Sequence, residues 1–200
     1  MTESAFMLAG AGVTTLGALN LIQYRRLHDA QHDPLTGLAA RRVWTARAGR
    51  ATRRRRGLVV LIVDGDGVKQ INDRYGHEAG DALLIAHAQR LRAWTGPRGL
   101  AGRLGGDEFA AFLRLAERTS LVDQLDALSA DLCAPVRYRD KTLRAGASIG
   151  AVIVDMLSTP TLRDALRAAD TAMYAAKNAG RGTWHLAGHC ARSFSDVGAA

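Results

Sequence analysis

The chain has 200 residues, of which 48% are hydrophobic, and it carries a formal net charge of +8 at pH 7. This length suits one domain of ordinary size with short appendages, and the apolar fraction is sufficient for a buried core. The two cysteines, Cys133 and Cys190, lack metal-ligand spacing and indicate no disulfide framework, which favours a reducing compartment.

The N-terminal segment, residues 4–24, contains no charged side chain and is long enough to cross a hydrocarbon core of about 30 Å as a helix. Glu3 precedes it, and Arg25 and Arg26 follow it. The positive-inside rule then places the N-terminus outside the cell and everything after Arg25 in the cytoplasm. We favour a membrane anchor over a soluble dimerisation helix, and over a signal peptide because no basic region precedes the segment.

The chain therefore divides into three parts. Residues 1–32 form the hydrophobic helix and a linker, residues 33–187 form one domain, and residues 188–200 form a small, polar tail that is predicted to be mobile. The domain is expected in the cytoplasm, tethered to the inner face of the cell membrane.

The start of the domain is strongly basic. Asp33 and Pro34 predict a helix start, and residues 38–55 carry a one-sided apolar stripe of a helix that ends at Gly57. Eight arginines lie here, as many as the net charge of the chain: Arg41, Arg42, Arg47, Arg50 and the run at 53–56. Such a run suits nucleic acid, an anionic membrane or a phosphate-rich substrate. We favour a solvated helix face and expect no nucleic-acid partner, because only Trp44 interleaves with the arginines.

The next element is a continuous apolar run at residues 58–63, which is typical of a strand covered on both faces. It stops at Asp64, and carboxylates just past a buried strand are where open α/β sheets bind ligands. Residues 65–80 are glycine-rich and polar, and a helix is predicted over residues 82–94.

A β-hairpin is predicted over residues 100–113. Gly105 and Gly106 allow the positive φ angles of a tight turn, and apolar residues flank them on both sides. Asp107 and Glu108 lie at its tip, where the acidic pair either is solvated or holds a cation. The remaining elements are predicted as helices over residues 121–132 and 162–176, and strands over residues 147–154 and 183–186.

The acids at two strand ends suit a magnesium site. Mg²⁺ takes one or two protein carboxylates and fills its octahedron with phosphate and water oxygens. Asp64 and Asp107 are placed to supply them, with Glu108 as a third candidate. Phosphoryl transfer needs this arrangement, because the phosphoryl oxygens repel an attacking oxygen until a cation neutralises them.

Residues 105–109 spell GGDEF, the name-giving motif of the diguanylate cyclase family. Further stretches resemble the signature segments of that family in order and spacing: DPLTGL at 33–38, DGDGVKQIND at 64–73, YGHEAGD at 75–81 and ADTAMYAAKNAGR at 169–181. The resemblance implies an α/β (α+β) fold of the nucleotide-cyclase, palm-like type. Its central, mostly antiparallel sheet would be flanked by helices and preceded here by the N-terminal helix.

The resemblance also implies residue roles. Asp64 and Asp107 match magnesium ligands, with the carbonyl of Gly65 as a further ligand. Asp107 is the candidate base for an attacking 3′-hydroxyl and is grouped as catalytic with Glu108 and Lys69, the latter at a position that holds phosphate. The cofactor implied is Mg²⁺.

The nucleotide would be held by a second set of residues. Asn72 and Asp81 match the family's guanine-reading pair, with His77 in the same pocket, and a carboxylate suits guanine because it accepts from the ring N–H and the exocyclic amine together. Lys177 and Arg181 match phosphate-holding positions. Taken singly, each of these residues also fits a structural role in a cap or a helix end.

The implied reaction joins two GTP into cyclic di-GMP with release of two pyrophosphates, in a homodimer whose two half-sites face each other. The sequence departs from the family pattern at two positions. Gly65 stands where a bulky apolar residue is usual, and Val68 stands where phenylalanine is usual. They keep open a low-turnover module that binds GTP or a cyclic dinucleotide, and a basic nucleic-acid binder is a weaker alternative. Residues 96–99 lack the Arg-x-x-Asp pattern, so no inhibitory product site is expected.

Overall fold

The computed structural model describes residues 31–54, 56–115 and 120–188. The predicted helix at 4–24, residues 189–200 of the predicted tail and Cys190 lie outside these ranges. The described strands are β1 (Ala39–Ala40), β2 (Leu58–Gly65), β3 (Gly99–Gly105), β4 (Glu108–Arg114), β5 (Val136–Tyr138), β6 (Lys141–Leu143), β7 (Ala147–Ile153) and β8 (Trp184–Leu186). The described helices are α1 (Arg41–Thr52), α2 (Val68–Tyr75), α3 (His77–Thr95), α4 (Leu121–Cys133) and α5 (Leu162–Asn178).

Six strands form one mixed sheet in the order β1-β3-β4-β2-β7-β8. The central strand β2 runs antiparallel to β4 on one side and to β7 on the other, and β3 is antiparallel to β4. The edge strands β1 and β8 are parallel to their neighbours. This arrangement confirms the predicted, mostly antiparallel sheet flanked by helices.

Strand β2 is buried on both faces, as its continuous apolar run predicts. Its alternate residues Val59, Leu61 and Val63 join a core with side chains of α2, α3 and α4. Leu58, Val60 and Ile62 join a second core with side chains of α1 and α5. Because side chains of a strand alternate between faces, one apolar run serves both layers of helices.

Helix α5 approaches the sheet closely at Gly150 in β7. A Cβ at this position would overlap the carbonyl oxygen of Ala169 and the amide nitrogen of Met173 in the helix backbone. Only glycine permits this approach. The close packing fixes where the C-terminal turn of α5, which carries Lys177, ends relative to β2 and β7.

The segment after β2 differs from the prediction of a glycine-rich, polar stretch before residue 82. Helices α2 and α3 occupy most of it, and α3 begins at His77. Gly67 and Gly76, with φ angles of 78° and 85°, directly precede the two helices. These glycines therefore act as joints between regular elements, since they adopt positive φ without steric strain.

The predicted helix start at Asp33 and Pro34 is wrong, because these residues begin a turn. Asp33 Oδ1 accepts hydrogen bonds from the Thr36 amide at 2.8 Å and from its hydroxyl at 2.6 Å. Such local side-chain bonds compete with helix formation. The helix begins only at Arg41, after the short edge strand β1.

Two further results concern the described part of the chain. The small antiparallel pair β5–β6 lies outside the main sheet and was not predicted. None of the helices within residues 31–54, 56–115 and 120–188 is both long enough and apolar enough to cross a bilayer.

Candidate active site

The end of β2 and the GGDEF turn meet at one place. Asp64 lies directly opposite Glu108 in the β2–β4 pairing, and the Gly65 amide donates to the carbonyl oxygen of Asp107 at 3.0 Å. A Cβ on Gly65 would lie 3.4 Å from the Cβ of Asp107. The structure thus brings Asp64, Gly65 and Asp107 together, while their roles as ligands stay a prediction.

Lys177 joins this group from the last turn of α5. Its Nζ lies 2.9 Å from Asp64 Oδ2, and the two side chains are 26% and 14% exposed. Burial raises the pKa of Asp64, against the opposing hydrogen bond and charge of Lys177, and the nearby charges of Asp107 and Asp66 raise it further. An acid under this repulsion favours a cation beside it.

The donor set suits Mg²⁺. Two carboxylates and the Gly65 carbonyl leave the remaining octahedral positions to phosphate and water, as this ion prefers. In the described ranges no cluster of three or more histidine, cysteine, aspartate or glutamate side chains is arranged to hold a metal.

The hairpin turn is fixed by Arg103. Its Nε and Nη2 donate to the Gly106 carbonyl at 2.9 and 2.7 Å, and its Nη1 lies 3.1 Å from Asp33 Oδ1. Burial of Asp33 raises its pKa, but hydrogen bonds from Thr36 and the pairing with Arg103 outweigh burial, so that the net pKa is lowered. The turn that follows the linker thus supports the turn that carries Asp107.

Glu108 is directed to the same sheet face as Asp64, as cross-strand neighbours are. Its Oε2 lies 3.9 Å from Arg41 Nη2; the Arg41 side chain is largely exposed and that of Glu108 about half exposed. The two residues border a groove of about 450 Å³ between α1 and α5, over the apolar side chains of Trp44 and Ile62.

The predicted guanine-reading residues lie where α2 meets α3. A Cβ on Gly80 would overlap Asn72 Oδ1, so the Asn72 carboxamide lies directly against the first turns of α3. His77 is the first residue of α3, and Asp81 follows one turn later; both are exposed. Lys69 is exposed in the first turn of α2. Lys69, His77 and Asp81 thus face solvent, whereas Asn72 is half-buried.

Arg181 lies beyond α5 in a left-handed conformation with φ 66°. Its Nη1 lies 3.4 Å from Asp66 Oδ1, and its side chain is 60% exposed. Asp66 itself is only 7% exposed and also accepts hydrogen bonds from Ser148 Oγ and the Gly182 amide. Sequence reasoning gave Asp66 no role, because these two partners lie 82 and 116 residues away along the chain.

The window expected to lack a product site forms a short 3-10 turn, Gly96–Arg98, followed by Gly99 at the start of β3. It contributes one cation, Arg98, and no acid. The absence of an inhibitory site there stays a prediction.

Comparison with known proteins assigns the fold to one family. The sequence model described as "Diguanylate cyclase, GGDEF domain" matches residues 30–183. A Streptomyces ambofaciens protein named "Uncharacterized 19.3 kDa protein in repSA 5'region" is 50% identical over 157 residues, which cover 78% of this chain and 84% of that protein.

Diguanylate cyclase TpbB of Pseudomonas aeruginosa is 41% identical over 167 residues, which cover 80% of this chain. The matching part spans 38% of the length of TpbB. A solved structure of TpbB comprising only its GGDEF domain superposes with a TM-score of 0.71 at 40% identity, and covers 78% of this chain and 94% of that domain.

Proposed function

Because the chain belongs to the GGDEF domain family, we propose that it is a diguanylate cyclase, which joins two molecules of GTP into cyclic di-GMP and releases two pyrophosphates. A relative named diguanylate cyclase, 41% identical over most of this chain, supports the activity. The proposed catalytic unit is the domain at residues 33–187.

The observation that carries the proposal is the convergence of Asp64, Gly65 and Asp107 beside Lys177. One acid at the end of β2 and one in the turn between β3 and β4 lie close together, and Lys177 pairs with the first of them, Asp64, at 2.9 Å. Such a mixed cluster suits a triphosphate, because the acids hold a cation and the lysine meets a phosphate directly.

The chemistry follows from these groups. Mg²⁺, held by Asp64, Asp107 and the Gly65 carbonyl, would neutralise charge that develops on the phosphates. Asp107 accepts the proton of the 3′-hydroxyl of one GTP as that oxygen bonds to the α-phosphorus of the other. The bond from the α-phosphorus to pyrophosphate then breaks, and the second half-site repeats the exchange. Glu108 and Lys69 complete the proposed catalytic group.

Binding of the nucleotide is assigned to two surfaces. Lys177 and Arg181, which lie close to Asp64 and Asp66, would hold the phosphates. Asn72 and Asp81, with His77 beside them, would read guanine at the exposed corner of α2 and α3. Asp81 accepts from both N–H groups of the guanine edge, which an adenine does not offer in that pattern.

Two domains are needed for one reaction, since each holds a single GTP. A homodimer with two-fold symmetry presents the 3′-hydroxyl of one nucleotide to the α-phosphate of the other in both directions. The N-terminal segment, residues 4–24, would tether this pair to the inner face of the cell membrane, as its uncharged length and its flanking arginines suggest.

A low-turnover binding module is the second candidate. Gly65 and Val68 support it, because they replace the bulky side chains that the family usually places beside the metal loop. They lie in contact, since a Cβ on Gly65 would be 3.0 Å from Val68 Cγ2. Neither change removes a charge, so the cyclase remains the first candidate.

The test is an assay of the purified full chain with GTP and Mg²⁺, with cyclic di-GMP measured over a range of protein concentrations. We expect product from the wild type, and none after chelation of Mg²⁺ or in Asp107→Ala. Asp131→Asn, an exposed acid on α4, is the matched control and should retain full activity. GTP binding without product at any concentration would favour the binding module.

A further inference from the structure

Asp66 is a buried carboxylate to which the proposed reaction assigns no role. It follows Asp64 and Gly65 directly after β2, and only 7% of it is exposed. Burying an ionised carboxylate is unfavourable unless hydrogen bonds satisfy it. The groups that surround Asp66 therefore indicate what its burial achieves.

Three donors converge on this carboxylate from two distant parts of the chain. Ser148 Oγ in β7 lies 3.0 and 2.9 Å from its two oxygens. The Gly182 amide donates to Oδ2 at 2.9 Å, and Arg181 Nη1 lies 3.4 Å from Oδ1. Both oxygens of Asp66 thus already accept hydrogen bonds from protein donors. For this reason we do not count Asp66 among the proposed metal ligands, Asp64 and Asp107.

The segment that Asp66 holds is an unusual turn. Gly180, Arg181 and Gly182 have consecutive positive φ angles of 118°, 66° and 59°. A non-glycine residue such as arginine rarely adopts this conformation unless its surroundings impose it. The hydrogen bond from the Gly182 amide to a charged acceptor is one such constraint.

Helix α4 contacts the turn through the Gly182 carbonyl. The Gly182 carbonyl accepts from Ser129 Oγ at 3.1 Å and from Cys133 Sγ at 3.5 Å. A Cβ on Gly146 would lie only 2.9 Å from Cys133 Sγ and 3.2 Å from Gly182 Cα, so the packing here is tight. The turn is held between Asp66 on one side and α4 on the other.

We propose that Asp66 is a positioning residue, which fixes the turn at 180–182 against the end of β2, where Asp64 and Gly65 lie. It thereby sets the reach of Lys177 and Arg181 toward the triphosphate. This inference rests on the proposed function, because it assumes that the two cations hold phosphates. Asp66 acts through these residues and does not touch substrate or metal.

The test separates nucleotide binding from turnover. Affinities for a non-hydrolysable GTP analogue and for guanosine, which has no phosphates, are measured by calorimetry for the full chain and for Asp66→Asn. We expect the variant to bind the analogue about tenfold more weakly, as loss of a charge-assisted anchor implies. Its affinity for guanosine should stay within about twofold, because guanosine carries no phosphate for Lys177 and Arg181 to hold.

Two further variants keep the test decisive. Ser148→Ala removes one of the donors to Asp66 and should weaken analogue binding in the same direction by a smaller factor, even where Asp66→Asn folds poorly. In an Arg181→Ala background the effect of Asp66→Asn should shrink, because one of the two positioned cations is gone. A structural role alone predicts a lower melting temperature with equal losses for the analogue and guanosine.

The outcomes are distinguishable from failure of the cyclase proposal. Wild-type protein that binds the analogue but makes no cyclic di-GMP contradicts the cyclase and leaves the prediction for Asp66 in force. Equal losses for the analogue and guanosine, or a changed Mg²⁺ requirement in Asp66→Asn, overturn the positioning role. Wild-type protein that binds no GTP analogue overturns both proposals.

Discussion

The two sides of the proposed cleft are built differently. On the phosphate side, the functional side chains already pair with one another: Lys177 with Asp64, and Arg181 with Asp66. On the guanine side, His77 and Asp81 extend from the first turns of α3 into solvent, and Asn72 lies flat against Gly80. On the phosphate side, ion pairs between the side chains hold them in position. On the guanine side, the position of each side chain is set by where its residue lies on α2 or α3.

Under the proposed function, this difference matches what each side would bind. A triphosphate with its metal concentrates several charges, so the protein groups that meet it must be close together and partly desolvated. Such groups are costly to gather unless they neutralise one another in the free protein. A guanine edge carries no net charge, and the residues that read it need only the right spacing and free hydrogen-bonding groups.

The comparison predicts that changes on the phosphate side alter both activity and stability. Changes on the guanine side should alter substrate choice alone.

The largest effect is expected for Asp64→Asn. Cyclic di-GMP synthesis should fall about 100-fold or more, because a group that holds the charge-stabilising metal is lost. The melting temperature of the metal-free protein should nevertheless rise by about 2–4 °C at neutral pH. Burial raises the pKa of Asp64, so its ionised form is disfavoured in the folded state.

The sign of the pH dependence follows from the raised pKa. The contribution of a protonated Asp64 to stability is complete below its ordinary pKa of 3.8 and is lost as the pH rises through the folded value. The advantage of the asparagine should therefore grow from acidic to neutral pH in calorimetric scans, with Asp131→Asn unchanged. A lower melting temperature for Asp64→Asn at neutral pH would show that the Lys177 pair outweighs burial.

A smaller effect, confined to the substrate, is expected for Asp81→Asn. The variant loses one acceptor for the exocyclic amine of guanine, so KM for GTP should rise about tenfold with kcat within about threefold. The preference for GTP over inosine triphosphate, which lacks that amine, should shrink. Its unfolding free energy should stay within about 0.5 kcal/mol of the wild type, because the side chain is exposed.

The matched control for this variant is Asp73→Asn, an exposed acid on α2 with no place in the proposed site. Kinetics with the two nucleotides and denaturant unfolding check both variants. If Asp81→Asn lowered the unfolding free energy as much as the substitution of a buried residue does, the prediction that changes on the guanine side leave stability unchanged would be wrong.

The sequence predicts the framework of this molecule because local patterns determine it. The apolar run at residues 58–63 already indicates a strand covered on both faces, and the glycine pair at 105–106 indicates the hairpin turn. Asp64 and Asp107 could be placed near each other on the same grounds, since each follows or precedes a strand in one sheet.

The misplaced elements depend on interactions that local patterns do not contain. Gly67 and Gly76 look like parts of one long loop in the sequence, but each directly precedes a helix and has a positive φ angle that the sequence does not reveal. Asp33 resembles a helix cap, yet it accepts from Thr36 and pairs with Arg103, 70 residues away. The partners of Asp66 are more distant still, so no pattern around it predicts its role.

The smallest effect is expected for Gly65→Ala, which places a methyl group on the phosphate side. Gly65 does not have a positive φ, so alanine fits its backbone and should stabilise the protein by about 0.5–1 kcal/mol through the unfolded state. Its Cβ would lie 3.0 Å from Val68 Cγ2, a tight contact that Val68 must relieve by a small shift. The gain through the unfolded state and the cost of the tight contact with Val68 oppose each other. The net change in unfolding free energy should therefore be within about 0.5 kcal/mol.

A double-mutant cycle with Val68→Ala resolves the two terms in Gly65→Ala. If the contact is the cost, Gly65→Ala should be more stabilising in the Val68→Ala background by about 0.5–1 kcal/mol. Cyclic di-GMP synthesis by Gly65→Ala should stay within about threefold of the wild type. The end of β2 is already held by the contacts of Asp66 and by the hydrogen bond from the Gly65 amide to the Asp107 carbonyl. A tenfold loss of activity without loss of stability would instead mean that the loop must move during turnover, and that the phosphate side is less prearranged than its charge pairs imply.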